Sequence, residues 1–312
     1  MRDGPNPVSA NTMNNLGLYL VAVLIWGSTW LAITFQLGRV PPEMSVAYRF
    51  ALAGIILLAW SAVRRLRLAY SWREHAAMAA QGALLFGLNY VCVYRAEGLI
   101  ASGLVAVTFS MIVFLNIFGV RLFFGTPLKP ATLAGAACGV AGVVLIFLPE
   151  ISRAAATGRA ALGLGYALVG VISASLGNLL AARNQRRGIP VVQLNTFGML
   201  YGAALVAIFA LVDGRPVVFD SSAPYLLSLV YLAGFGSIVA FGAYLTLLGR
   251  IGADRAGYAN AAIPIVALLM STCFEGLHWH AATVLGILLC LAGNFLVLRR
   301  SSKPRAQPAT SG

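Results

Sequence analysis

Apolar residues in this chain do not alternate with polar ones; they come in long blocks. Ten blocks stand out, over 16–36, 42–62, 75–94, 99–120, 131–148, 161–182, 190–212, 224–247, 256–274 and 281–298. A run of about 20 apolar residues crosses the hydrocarbon core of a bilayer as a helix. No water is present there to satisfy backbone N–H and C=O groups, and a helix satisfies them within the segment. The blocks therefore predict an all-α polytopic membrane protein with ten transmembrane helices.

Composition agrees. The 312 residues are 60% hydrophobic and only 10% charged, with mean hydropathy +0.85, whereas soluble domains carry about 25% charge. The net charge of +13 would suggest nucleic acid on a soluble protein. Here the basic residues fall between the apolar blocks. With the N-terminus inside, 16 Lys and Arg lie on the cytoplasmic side and 5 outside, and Arg49 lies within the second block. That asymmetry follows the positive-inside rule and predicts both termini in the cytoplasm. Residues 1–15 lack the basic region and cleavage site of a signal peptide. Cys92, Cys138, Cys273 and Cys290 all fall in blocks without CxxC spacing, and read as small core residues.

The chain also repeats. A shift of 151 places Gly98 on Gly249, Phe123 on Phe274, Gly125 on Gly276, Thr132 on Thr283, Gly135 on Gly286 and Ala141-Gly142 on Ala292-Gly293. Nearer the start, a shift of 147 or 148 places Tyr19 on Tyr166, Ser28 on Ser175, Pro42 on Pro190 and Gly54 on Gly202. The units are 16–148 and 161–298, joined by 149–160. Five spans is an odd number, so the second unit enters from the opposite side. Inverted repeats of this kind are common in secondary transporters, with substrate held near the midplane between them.

The order Trp26-Gly27, Pro42, Arg49-Phe50 and Ala53 resembles the first two helices of the EamA-type family of the drug/metabolite transporter superfamily. "FFGTPLKPATLAGAACGVAGVVLIF" (123–147) and "FEGLHWHAATVLGILLCLAGNFLVL" (274–298) resemble the family's closing helices. The resemblance covers 16–298. It implies ten helices in two five-helix repeats and transport, often export, of small organic solutes. The sequence departs from the family where a Glu usually follows the Gly of the fourth-to-fifth helix turn, which here is Thr126. Val113 stands at the place matching Pro264, and Glu275 precedes Gly276 rather than following it.

Short loops and the absence of a GxxxxGK[ST] motif exclude an ATP-driven pump acting alone and an enzyme with a soluble catalytic domain. No HExxH, GxSxG or acidic pair lies in a span, so no catalytic residue is expected. Glu275, His278 and His280 in "EGLHWH" have an i, i+2 histidine spacing that makes no good metal site alone. No metal or cofactor is expected. The nine acids sit in tails, loops or span ends, none at a midplane.

Candidate site residues are the polar and aromatic groups inside spans. In "WGSTW", Trp26, Thr29 and Trp30 share one helix face and Ser28 points away. Two readings compete: close packing, with Gly27 admitting a neighbour and Ser28 bonding its own helix at Leu24, or a cavity wall. Asn89, Tyr90 and Tyr94 lie in the third span, Thr108 in the fourth, and Ser175 and Asn178 in the sixth. Tyr244 lies in the eighth, and Tyr258 and Asn260 precede Pro264 in the ninth. These fall on spans that the resemblance implies line the cavity. Arg49 pairs with Glu43 or Glu97, snorkels, or meets a substrate carboxylate. Gly135, Gly139 and Gly142 in the fifth span, with Gly286 and Gly293 in the tenth, mark packing helices.

Together these features point to a secondary transporter, exporter or exchanger, of small neutral or zwitterionic metabolites such as amino acids, in a bacterial cytoplasmic membrane. A polytopic membrane enzyme and a channel or sensor are the alternatives. The expected partners are the solute and the bilayer, without nucleic acid, and a homodimer is left open.

Overall fold

A computed structural model describes residues 7–125, 130–153, 158–251, 253–277 and 279–301. Helix covers each of the ten apolar blocks. In chain order the helices are α1 (Pro7–Thr34), α2 (Pro42–Val63), α3 (Trp72–Gly82), α4 (Asn89–Glu97), α5 (Ser102–Phe109), α6 (Ile112–Phe124) and α7 (Pro130–Arg153). They continue with α8 (Arg159–Arg186), α9 (Val191–Val212), α10 (Ala223–Tyr231), α11 (Ala240–Ile251), α12 (Ala253–Phe274) and α13 (Ala281–Ser301). A π-helical stretch, Ala83–Leu88, joins α3 to α4, and a second, Leu232–Val239, joins α10 to α11. Among the described residues seven stretches are long and apolar enough to cross a membrane, and 133–146, 262–274 and 281–296 are shorter apolar helices.

The distribution of side chains is that of a protein facing lipid. Val63, Leu122, Leu227 and Val212 lie on the outside, while Ser45, Arg49, Gln81, Asn89, Asn184 and Asn294 are buried. Helix ends follow the sequence. Ser71 caps α3 reciprocally with Glu74: its hydroxyl accepts the Glu74 N–H, and the Glu74 carboxylate accepts the Ser71 N–H at 2.6 Å. Gly125 ends α6 at φ 71°, where a side chain would be strained.

Polar bonds tie the bundle together. Asn184 donates to Gln81 Oε1 (3.0 Å), Ser228 to the Ala32 carbonyl (2.7 Å), and Tyr94 to Gln36 Oε1 (2.7 Å). Each such bond contributes only about 0.6 kcal/mol on average in a membrane, so close packing carries more of the weight. The pairing of α7 with α13 shows it. A Cβ on Gly142 would lie 2.5 Å from the Gly286 carbonyl oxygen, and a Cβ on Gly286 would lie 2.5 Å from that of Gly142. These two helices, expected from their glycines to be packing helices, pack on each other. Gly142→Val should destabilise the protein by more than the ~1–3 kcal/mol of ordinary overpacking, because backbone must move. Gly165→Val, where a Cβ meets open space, should leave thermal stability in detergent nearly unchanged. Equal melting temperatures for the two variants would contradict the packing.

Candidate functional site

The first π stretch packs against α8 and α9, and the second against α1 and α2. Backbone N–H groups reach five residues back there, from Asn89 to Leu84 and from Ala240 to Phe235. Such stretches are rare and recur at functional sites. Side chains take up carbonyls within them. Ser173 donates to Leu84 (2.8 Å), Asn89 to Leu85 (3.1 Å), Ser237 to Leu232 (2.9 Å), and the Trp26 indole N–H to Gly236 (3.1 Å).

A cavity of about 100 Å³ is lined by Leu85 of the first stretch and by residues of α1, α4, α5, α6, α8, α11 and α12. Of the residues expected from the sequence, Trp26, Thr29, Trp30, Asn89, Tyr90, Asn178, Tyr244 and Asn260 line it. The remaining wall is apolar, including Phe109 and Phe241, and among the described residues it carries no charged side chain.

The lining residues differ in how much of their bonding is already committed. Trp26 packs edge-on to Phe241 (4.9 Å between centroids) and against Tyr244 (5.0 Å), besides its bond to Gly236. The Thr29 hydroxyl donates to the Trp26 carbonyl (2.8 Å), so its proton is spent within its own helix. Asn260 donates to the Tyr244 hydroxyl (3.0 Å). Trp30 has one edge contact, to Phe109 at 5.2 Å. Its indole nitrogen is buried without a hydrogen-bond partner, as is Asn89 Oδ1. The Trp30 donor and the Asn89 acceptor are thus both unspent.

The two readings of "WGSTW" are both partly realised. Val266 leaves no room for a Cβ on Gly27, and Ser28 donates to the Leu24 carbonyl (2.9 Å) and lies 2.6 Å from the Tyr231 hydroxyl. These two residues are packing; Trp26, Thr29 and Trp30 face the cavity.

Four expected site residues do not line it. Tyr94 is fully buried with its hydroxyl bonded to Gln36. Thr108 is buried and donates to its own helix at Leu104 (3.0 Å). Ser175 is buried away from the cavity. Arg49, fully buried, stands one layer behind the wall. The guanidinium lies 4.5 Å from the Tyr90 ring centroid and 5.1 Å from that of Phe50, with Nε donating to Ser237 (3.1 Å). Neither expected carboxylate pairs with it among the described residues: Glu43 is bonded to Arg95 instead. The guanidinium does not snorkel; aromatic faces and one hydroxyl hold it. The Tyr258 side chain, Thr126 and His278 lie outside the described residues.

Phe109 and Phe241 were missed because they sit in apolar runs, yet the repeat marks them. A shift of 151 pairs Tyr90 with Phe241, Val93 with Tyr244, Phe109 with Asn260 and Ile112 with Ile263, and 148 pairs Trp26 with Ala174 and Trp30 with Asn178. All of these line the cavity. The wall is paired in position and unequal in chemistry, since an indole or ring on one side often faces a small residue or amide on the other.

Two segments, 15–148 and 161–299, each match the model of the EamA-like transporter family. An uncharacterized inner membrane transporter of Escherichia coli, YedA, is 29% identical over 90% of this chain and 91% of its own. A protein of the same organism described as a probable amino-acid metabolite efflux pump is 25% identical over 89% of this chain and 93% of its own. One solved crystal structure shares the fold, with TM-score 0.67 at 22% identity, covering 94% of this chain and 99% of the other.

Proposed function

Because the chain belongs to the EamA-like transporter family, we propose that it is a secondary transporter of small neutral or zwitterionic organic metabolites, such as amino acids. It works as an exporter or exchanger in the cytoplasmic membrane. The observation that carries this reading is the cavity wall: aromatic faces, amides and phenols, with no charged side chain. Indole and phenyl faces suit an apolar solute body, and a few placed polar groups fix its orientation. Polyanions call for several Lys or Arg, which this wall lacks. The relative described as a probable amino-acid metabolite efflux pump agrees with the amino-acid class.

The paired lining positions support two inverted five-helix repeats with the solute between them. Both termini then lie in the cytoplasm. A reporter fused to the C-terminus should be active only inside; activity outside would reverse the topology. In liposomes loaded with unlabelled amino acids, labelled amino acid should accumulate by saturable counterflow. Flux that never saturates would indicate a channel, and a chemically altered product an enzyme; either result replaces the transporter reading.

A further inference from the structure

Three helix ends converge at the end of the bundle that the charge asymmetry assigns to the outside. Asn89, Val93 and Glu97 follow one another at four-residue spacing on one face of α4. The first two line the cavity, so Glu97 continues that face one turn outward. Ser102 stands likewise one turn outward of the lining residue Ala106 on α5. On α12, Ile263 lines the cavity, and Ala267, Ser271 and then Glu275 follow outward. Here α5 and α12 close on each other. A Cβ on Gly103 would lie 2.9 Å from Ser271 Cβ, and Leu268 packs with Leu104 and Val107. Glu275 spans the junction: its carboxylate accepts the Ser102 backbone N–H (3.3 Å) and the Ser102 hydroxyl.

Beneath this junction Glu97 is only 8% exposed. Both its oxygens are buried and lack a hydrogen-bond partner among the described residues. The charged groups facing it are Arg49 from α2 and Glu275 from the end of α12, one attracting and one repelling. Arg95, on its own helix, is turned to Glu43 and Tyr166, and Glu43 on α2 is held by Arg95. Tyr94 is bonded to Gln36 of the segment after α1. A bare carboxylate without donors is costly to bury, and its protonated form avoids most of that cost. A like charge nearby adds to the penalty.

We propose that Glu97 is a proton-binding site linked to closure of the outer end. Its carboxylate takes up one proton from the outer solution as α5 and α12 close over it, and returns that proton when they part. The proposal rests on reading the chain as a transporter with an outer gate, but the titration of Glu97 does not depend on any solute. By linkage, the closed state binds the proton more tightly, so acid on the outside favours closure and alkali favours opening.

The test is a distance between spin labels at Ala101→Cys and Phe274→Cys, with the four native cysteines replaced by alanine, in the full chain without solute. Raising pH from about 5 to about 9 should lengthen the separation, and Glu97→Gln should stay closed throughout. In Glu275→Gln the opening midpoint should move to lower pH by about one unit, because the repelling charge is gone. A separation that ignores pH in the parent chain overturns the proposal, as does an unchanged pH response in Glu97→Gln. If Glu97→Gln fails to fold, an unmoved midpoint in Glu275→Gln overturns it. Counterflow that succeeds while the separation ignores pH would leave the transporter reading intact and remove this site alone.

Discussion

Truncating Trp26 and Trp30, one turn apart on the same helix face, should give different results. Trp26 is bonded through its indole nitrogen to Gly236 and wedged between Phe241 and Tyr244. Trp26→Ala should lower stability by ~3–5 kcal/mol, the cost of deleting a packed aromatic side chain whose space is not refilled. Trp30 lines the cavity with a half-buried ring and carries a buried, unspent N–H. Trp30→Ala should raise the half-saturation concentration by about tenfold, equivalent to ~1.4 kcal/mol of binding, with a smaller loss of stability than Trp26→Ala, since its ring packs against neighbouring cores but its indole nitrogen holds no partner. Both quantities can be measured on purified protein, by thermal unfolding and by counterflow. Marked destabilisation by Trp30→Ala with unchanged half-saturation would make the whole stretch a packing element and move the site elsewhere.

Arg49→Ala is the second large effect. A desolvated cation over an aromatic face is worth about 2 kcal/mol or more, and Arg49 lies over two such rings while donating to Ser237. Removing it frees Tyr90, a cavity wall, and loosens the second π stretch from α2. Transport should fall about tenfold or more at matched membrane levels, whereas Arg64→Ala, at an exposed helix end, should transport normally. Arg49→Lys should also be impaired, because a lysine ammonium lacks the planar fork that stacks on Tyr90 while donating sideways. Equal rates for Arg49→Ala and Arg64→Ala would show that the buried cation has no part in the cycle.

The fold was legible because lipid imposes a simple rule: a block of apolar residues long enough to cross must be a helix. The glycine spacing on the fifth and tenth spans likewise marked them as packing helices, since only a missing side chain admits a backbone; that they pack on each other came from the structure. The site was legible in part. Polar residues in an apolar run must be explained, so Asn89, Asn178 and Asn260 drew attention and do line the cavity. The same reasoning failed for Thr108 and Ser175, because a short hydroxyl can satisfy itself on its own helix or in a tight contact. It was silent on Phe109 and Phe241, which have nothing polar to flag them. Glu97 reads as a loop-end acid in sequence; only the closure of α5 against α12 reveals it as buried. The exchange of partners around Arg49 was equally hidden, since spacing cannot say that Glu43 prefers Arg95.

A cavity wall without charge also decides what the membrane voltage can act on. A unit charge crossing the bilayer changes free energy by ~2.3 kcal/mol per 100 mV. A zwitterion carried between uncharged walls moves no net charge, so voltage exerts no pull on that step. With the cations and acids confined behind the wall or at the rim, an imposed potential should leave the rate of amino-acid counterflow unaltered, whichever its sign. Any electrical current that accompanies net transport would then be carried by something other than the zwitterion.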